Sequence, residues 1–193
     1  MADITKLEAA KRQLVTAIRL FFRDEDSVSI YTLTHAAWEV LDAICANRGL
    51  DRFRALTAQA NSAREQDVRR AATYGRNFFK HAKEDPDAVL PDFSDDINDH
   101  VIFSATIDYG TVVNTKPVEI QVFQAWYWAA HVDKVIAPLK DNIDAAMRLF
   151  PGLAALARSD QKKEGLLVLH SASCNPRIMD DPSTDRNAVR SIE

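Results

Sequence analysis

Apolar residues in this chain recur three and four positions apart, and the two-residue alternation of a half-buried strand is almost absent. That spacing puts successive apolar side chains on one stripe of a helix, so the chain is confined to helices packed on helices. Glycine, frequent in tight hairpin turns, occurs only five times in 193 residues.

A first helix is expected over about 3–22, with Leu7, Leu14, Ile18 and Phe21 on one face and Lys6, Lys11, Arg12 and Arg19 elsewhere. The charged stretch 23–26 ends it. Ser27 is the expected N-cap of a second helix reaching about Asn47, whose apolar side is Leu33, Ala37, Val40, Leu41 and Ile44. Gly49 stands where a C-cap glycine belongs. A third helical segment begins near Asp51, and a fourth covers about 63–83 with Gly75 interrupting it. Pro86 and Pro91 then stop the pattern.

Ser94, followed by Asp95 and Asp96, reads as the N-cap of a helix to about 113. Pro117 opens the next one, to about 136, with Ile120, Val122, Phe123, Trp126, Tyr127, Trp128 and Val132. That helix is apolar nearly all round and is expected to be central or to form a homodimer interface. Pro138 restarts or kinks the chain, Pro151-Gly152 ends the following turn, and the apolar run 165–170 is of undecided type. From 171 onward the composition is polar. The expectation is an all-α antiparallel bundle of about five to seven helices in one domain over 1–170, with a loosely ordered tail over 171–193.

With 47% hydrophobic and 27% charged residues the chain has the composition of an ordinary globular protein. Its net charge of −4 gives no long-range field to draw in nucleic acid, so any such activity needs a local basic patch. Cys45 and Cys174 are too isolated for a zinc site, and no metal or cofactor is expected. No apolar run approaches the ~20 residues of a membrane span. The charges throughout 1–23 argue against a secretory signal, so a cytoplasmic location and no membrane partner are expected.

The residues richest in chemistry are 76–81, Arg-Asn-Phe-Phe-Lys-His. At 100° per residue Arg76, Asn77, Lys80 and His81 fall within roughly 140° of arc, with Phe78 and Phe79 opposite. One face is basic and hydrogen-bonding, and the other anchors in the core. Such a group suits cleavage of an RNA phosphodiester. His81 can move a proton between the 2′-hydroxyl and the leaving oxygen, Arg76 can hold the phosphate, and Asn77 can orient the imidazole or the substrate. Lys80 adds charge, and the scheme needs no metal.

The pattern of an arginine, a polar residue, three residues and a histidine, here Arg76, Asn77 and His81, resembles the signature of the HEPN superfamily. The resemblance implies a helical bundle, often dimeric, acting as a metal-independent ribonuclease in toxin–antitoxin or phage-defence systems. It also implies RNA as substrate, a protein antitoxin as partner, and a homo-oligomer that concentrates the basic face. The alternative is a non-enzymatic scaffold or partner-binding protein. In that case Arg76, Lys80 and Lys83 form a solvated helix face, and His81 sits at a helix end near Asp85 and Asp87.

On the second helix His35, Glu39 and Asp42 form a polar stripe beside Trp38. It is either a metal-binding or His81-orienting stripe or, the favoured reading, an exposed face. No Glu-x-x-His pair supports a di-iron bundle, and His100 and His131 are lone histidines. Trp126, Tyr127, Trp128 and His131 are expected to be core or interface more than a ligand pocket. There is no glycine-rich phosphate loop or nucleophile elbow, and the acidic segment 92–99 lacks calcium-loop spacing.

Overall fold

The computed structural model describes residues 3–60, 64, 66, 75, 77–80, 86–132 and 140–186. Among them the chain is helical throughout, without a strand, and Lys116 and Thr184 form an isolated bridge. The helices are α1 (Lys6–Phe22), α2 (Ser27–Asn47), α3 (Phe53–Ala60), α4 (Ile97–Val112), α5 (Val118–Ala130), α6 (Lys140–Leu149), α7 (Arg158–Ser173) and α8 (Pro176–Met179). A 3-10 turn, Leu153–Ala155, lies between α6 and α7. No described helix is long and apolar enough to cross a membrane.

Two helix ends show how local chemistry sets the boundaries. After α2 the chain turns left-handed at Gly49 (φ 66°), and the amides of Gly49 and Leu50 bond to the carbonyls of Ala46 and Cys45. This double closure satisfies carbonyls that the helix leaves open. After α1 the same closure recurs with Asp24 (φ 58°) in the left-handed position. Helix α4 starts at Ile97, three residues beyond the expected Ser94 cap, and Ser94 Oγ instead accepts from the Asp96 amide at 3.4 Å.

The fold divides into two compact units, a division that composition does not announce: 1–17 with 27–113, and 18–26 with 114–193. In the first, α2 packs along α4, and α3 also packs on α4. The buried stripe of α2 is Ile30, Tyr31, Thr34, His35, Ala37, Trp38, Leu41 and Cys45. This is rotated from the expected one, since Leu33, Val40 and Ile44 are only half-buried. Thr34 takes part in the burial because its Oγ1 donates back to the Ile30 carbonyl at 2.8 Å, and the His35 ring packs 4.3 Å from Tyr31.

In the second unit α5 packs on α6 and α7. Its residues from Val118 to Ala129 are buried on several sides, with Trp126 fully enclosed and Trp128 half-buried. Phe21, Phe22, Phe123 and Trp126 form one ring cluster with centroids 5.1–6.0 Å apart. Gly165 of α7 is seated against Phe22 so closely that a Cβ there would lie 2.2 Å from the ring. The run 165–170 is helical, within α7. Polar composition after 171 also conceals order: α7 continues to Ser173, α8 follows, and Lys116 bonds through its amide to the Ser183 carbonyl and through its carbonyl to the Asp185 amide.

Candidate functional site

Of the four residues singled out at 76–81, Arg76 and His81 lie outside the described residues, while Asn77 and Lys80 are described and exposed on a helical stretch, 77–80. What holds that stretch is aromatic. Phe79 packs edge-on against Tyr31 of α2 at 5.8 Å and against Phe93 at 5.4 Å, and Phe78 lies 5.4 Å from Phe79. Gly75 is buried, and a Cβ placed on it would stand 3.0 Å from the Tyr31 hydroxyl. A Cβ there would require the end of the Tyr31 ring to give by a few tenths of an ångström, so the glycine that looks like a helix interruption is a close-packing residue.

The polar stripe of α2 divides into three separate tasks instead of forming an exposed face. His35 is 1% exposed and lies between Tyr31 and Trp38 with its ring tilted to both, centroids at 4.3 and 5.7 Å. Glu39 reaches across to Lys80, with Oε2 3.6 Å from Nζ, both side chains about one-third to two-fifths exposed. Asp42 Oδ2 accepts from Arg54 of α3 at 3.0 Å. Spacing alone placed Glu39 and Lys80 on different helices without linking them. Their pairing puts the polar side of 77–80 next to the outer face of α2.

That outer face carries an open groove of about 470 Å³, bordered by Lys6 of α1 and by Glu39, Asn47 and Arg48 of α2 and its end. Its floor is Val40, Ala43 and Ile44. Two of these floor residues belong to the apolar stripe expected in the core, and the rotation of α2 has left them facing a cleft. Arg48 also touches the Val112 carbonyl through Nη1 at 3.5 Å.

Behind α2 lies a buried carboxylate that no sequence motif marks. Asp108, fully buried in α4, accepts from Trp38 Nε1 through Oδ2 and from the Phe53 amide through Oδ1, each at 2.7 Å. One carboxylate thus joins α2, α4 and the first residue of α3. Burial raises its pKa above the usual value, and Asp42 adds to this, against the Phe53 amide, the Trp38 indole and Arg54, which pull it down. The Cys45 thiol, 3.7 Å from the Asp108 carbonyl, is pushed up to about 11 by burial and by Asp108 and Asp42, so it stays protonated at neutral pH. An acid in the midst of an apolar helical run was the available signal for Asp108. Among the described residues no group of three His, Cys, Asp or Glu is arranged to hold a metal.

No protein-family model, curated protein or solved structure matches the chain.

Proposed function

We propose that this chain is a metal-independent ribonuclease of the HEPN type, acting at Arg76, Asn77 and His81 with Lys80 beside them. His81 takes the 2′-hydroxyl proton as that oxygen attacks phosphorus and passes it to the departing 5′-oxygen as the P–O5′ bond breaks, leaving a 2′,3′-cyclic phosphate and a 5′-hydroxyl. Arg76 holds the phosphate, and Asn77 orients the imidazole or the substrate. The observation that supports this reading is the way 77–80 is mounted: Asn77 and Lys80 are exposed, while Phe79 is clamped against Tyr31 and Phe93. A rigid anchor beneath a polar face is what a phosphate-handling turn requires. A role as toxin or defence component, with a protein antitoxin and a second copy of the chain as partners, belongs to the same proposal.

The test is RNA cleavage in the presence of EDTA by the parent, His81→Ala and Arg76→Ala. The parent should yield cyclic-phosphate ends, and His81→Ala should be slower by roughly 100-fold or more, the usual contribution of a general acid–base group. Equal cleavage by all three removes the proposal. A non-enzymatic partner-binding role is the second reading. Its support is the adjacent Leu166 and Leu167 of α7, which are 36% and 64% exposed, and it gains if the parent cleaves no RNA.

A further inference from the structure

We infer that the groove between α1 and the outer face of α2 binds one nucleotide of single-stranded RNA and extends the path of the substrate away from the motif. The inference rests on the ribonuclease reading for the direction of the strand, and on the groove itself for the binding chemistry.

Three features carry it. The volume, about 470 Å³, lies within the ~300–1,000 Å³ of ordinary small-ligand sites. Its floor of Val40, Ala43 and Ile44 is aliphatic, so it can take the face of a base or ribose without stranding a polar atom. Its border is cationic in balance. Lys6 and Arg48 carry positive charge, while the carboxylate of Glu39 is already met by Lys80 at 3.6 Å. A phosphate between Lys6 and Arg48 gains two charge-assisted partners, and the Asn47 amide adds a donor and an acceptor for a base edge. Because Glu39 both lines the groove and pairs with Lys80, a strand leaving the groove past that ion pair arrives at Asn77. An acidic chain with no long-range pull on RNA needs such a local cationic cleft.

The experiment uses a fluorescein-labelled eight-nucleotide RNA with 2′-O-methyl riboses, which cannot be cleaved by 2′-oxygen attack, and follows anisotropy over a salt series. Lys6→Ala/Arg48→Ala should weaken binding at least tenfold near 0.1 M salt. It should also flatten log K against log salt by about 0.7, the value for the one phosphate of a single strand that is no longer neutralised. Ala43→Leu, at an exposed position, should weaken binding by filling the cleft with no change of charge and no ring on which a base can stack. Lys163→Ala, removing a lysine 69% exposed on α7, should leave both affinity and slope unchanged. Parent-like binding by the double variant or by Ala43→Leu overturns the groove, as does a parent that binds no RNA. Cleavage lost in His81→Ala while the groove variants bind normally sinks the groove and keeps the ribonuclease. A parent that never cleaves, yet loses binding when Lys6 and Arg48 are removed, does the reverse.

Discussion

In the first unit a buried carboxylate ties α2, α3 and α4 together through two 2.7 Å hydrogen bonds, whereas in the second a cluster of rings is closed by a glycine. The first device is directional: it works only if an indole N–H and a helix-starting amide both point at Asp108, and it depends on protonation. The second is a matter of volume, tolerant of direction and indifferent to pH, but intolerant of a single added carbon. Polar and apolar solutions to the same packing problem therefore fail in different ways, and substitutions can separate them.

The largest expected effect is at Asp108. Asp108→Ala strands two donors, each worth about 1–3 kcal/mol when left unmet in a protein interior, so urea unfolding should show a loss of about 3 kcal/mol. Asp108→Asn keeps one acceptor oxygen and should lose roughly half of that. A loss under about 1 kcal/mol for the alanine variant would break the comparison, since the carboxylate would then be incidental. The same residue sets a pH dependence. Its folded pKa lies above the ordinary 3.8, so between that value and the raised one the native state holds more protons than the unfolded chain. Stability from this group is therefore greater on the acid side of the window and falls as pH rises through it. The pH slope should be absent from Asp108→Asn and appear in the parent-minus-Asn difference if Asp108 is its source. Glu8, whose pKa is lowered by Lys11 and Arg12 despite some desolvation, contributes with the opposite sign: its part is lost as pH falls through its folded value.

Next comes Gly165→Ala. A Cβ 2.2 Å from Phe22 Cε1 forces the ring or the helix to move, and overpacking of this kind costs about 2–3 kcal/mol even against the ~1 kcal/mol that alanine gains in a helix. Phe22→Leu in the same background should recover part of the loss, giving a clear non-additive cycle in chemical denaturation. Strict additivity would mean that the two residues do not share the space.

The smallest effect is expected at Gly75→Ala. There the added carbon would meet the end of Tyr31 at 3.0 Å, and a ring that can shift by a few tenths of an ångström should nearly cancel the helix-propensity gain. The melting transition should shift by the equivalent of less than about 1 kcal/mol in either direction. A loss as large as that of Gly165→Ala would show that Tyr31 is held as firmly as Phe22.

The helical class was legible because periodicity is a property of spacing alone, and Leu14, Ile18 and Phe21 are buried as their spacing requires. The face of α2 was less so. Hydrophobicity placed Val40 and Ile44 inward and His35 outward, but rotation is decided by partners on other helices, above all the Asp108 carboxylate that draws in Trp38. Of the candidate site, spacing alone predicts the opposition of Phe79 to Lys80. It could not reveal that Glu39 would answer Lys80, because that pair joins distant parts of the chain. Gly75 and Gly165 looked like weaknesses of helices, since nothing in a linear pattern says which backbone another ring will approach.

The bend after α1 has a lasting consequence. Asp24 occupies a conformation in which glycine would be easier, yet its carboxylate meets the ammonium of Lys162, a residue 1% exposed and 138 positions away, at 2.7 Å. Loss of the acid would remove an ion pair from a lysine that otherwise keeps its contact with the Phe21 ring, 4.9 Å from Nζ, and loss of the lysine would leave Asp24 in a left-handed conformation with that ion pair gone. The two positions are therefore coupled across the sequence, and replacing both should cost less than the sum of the two single replacements.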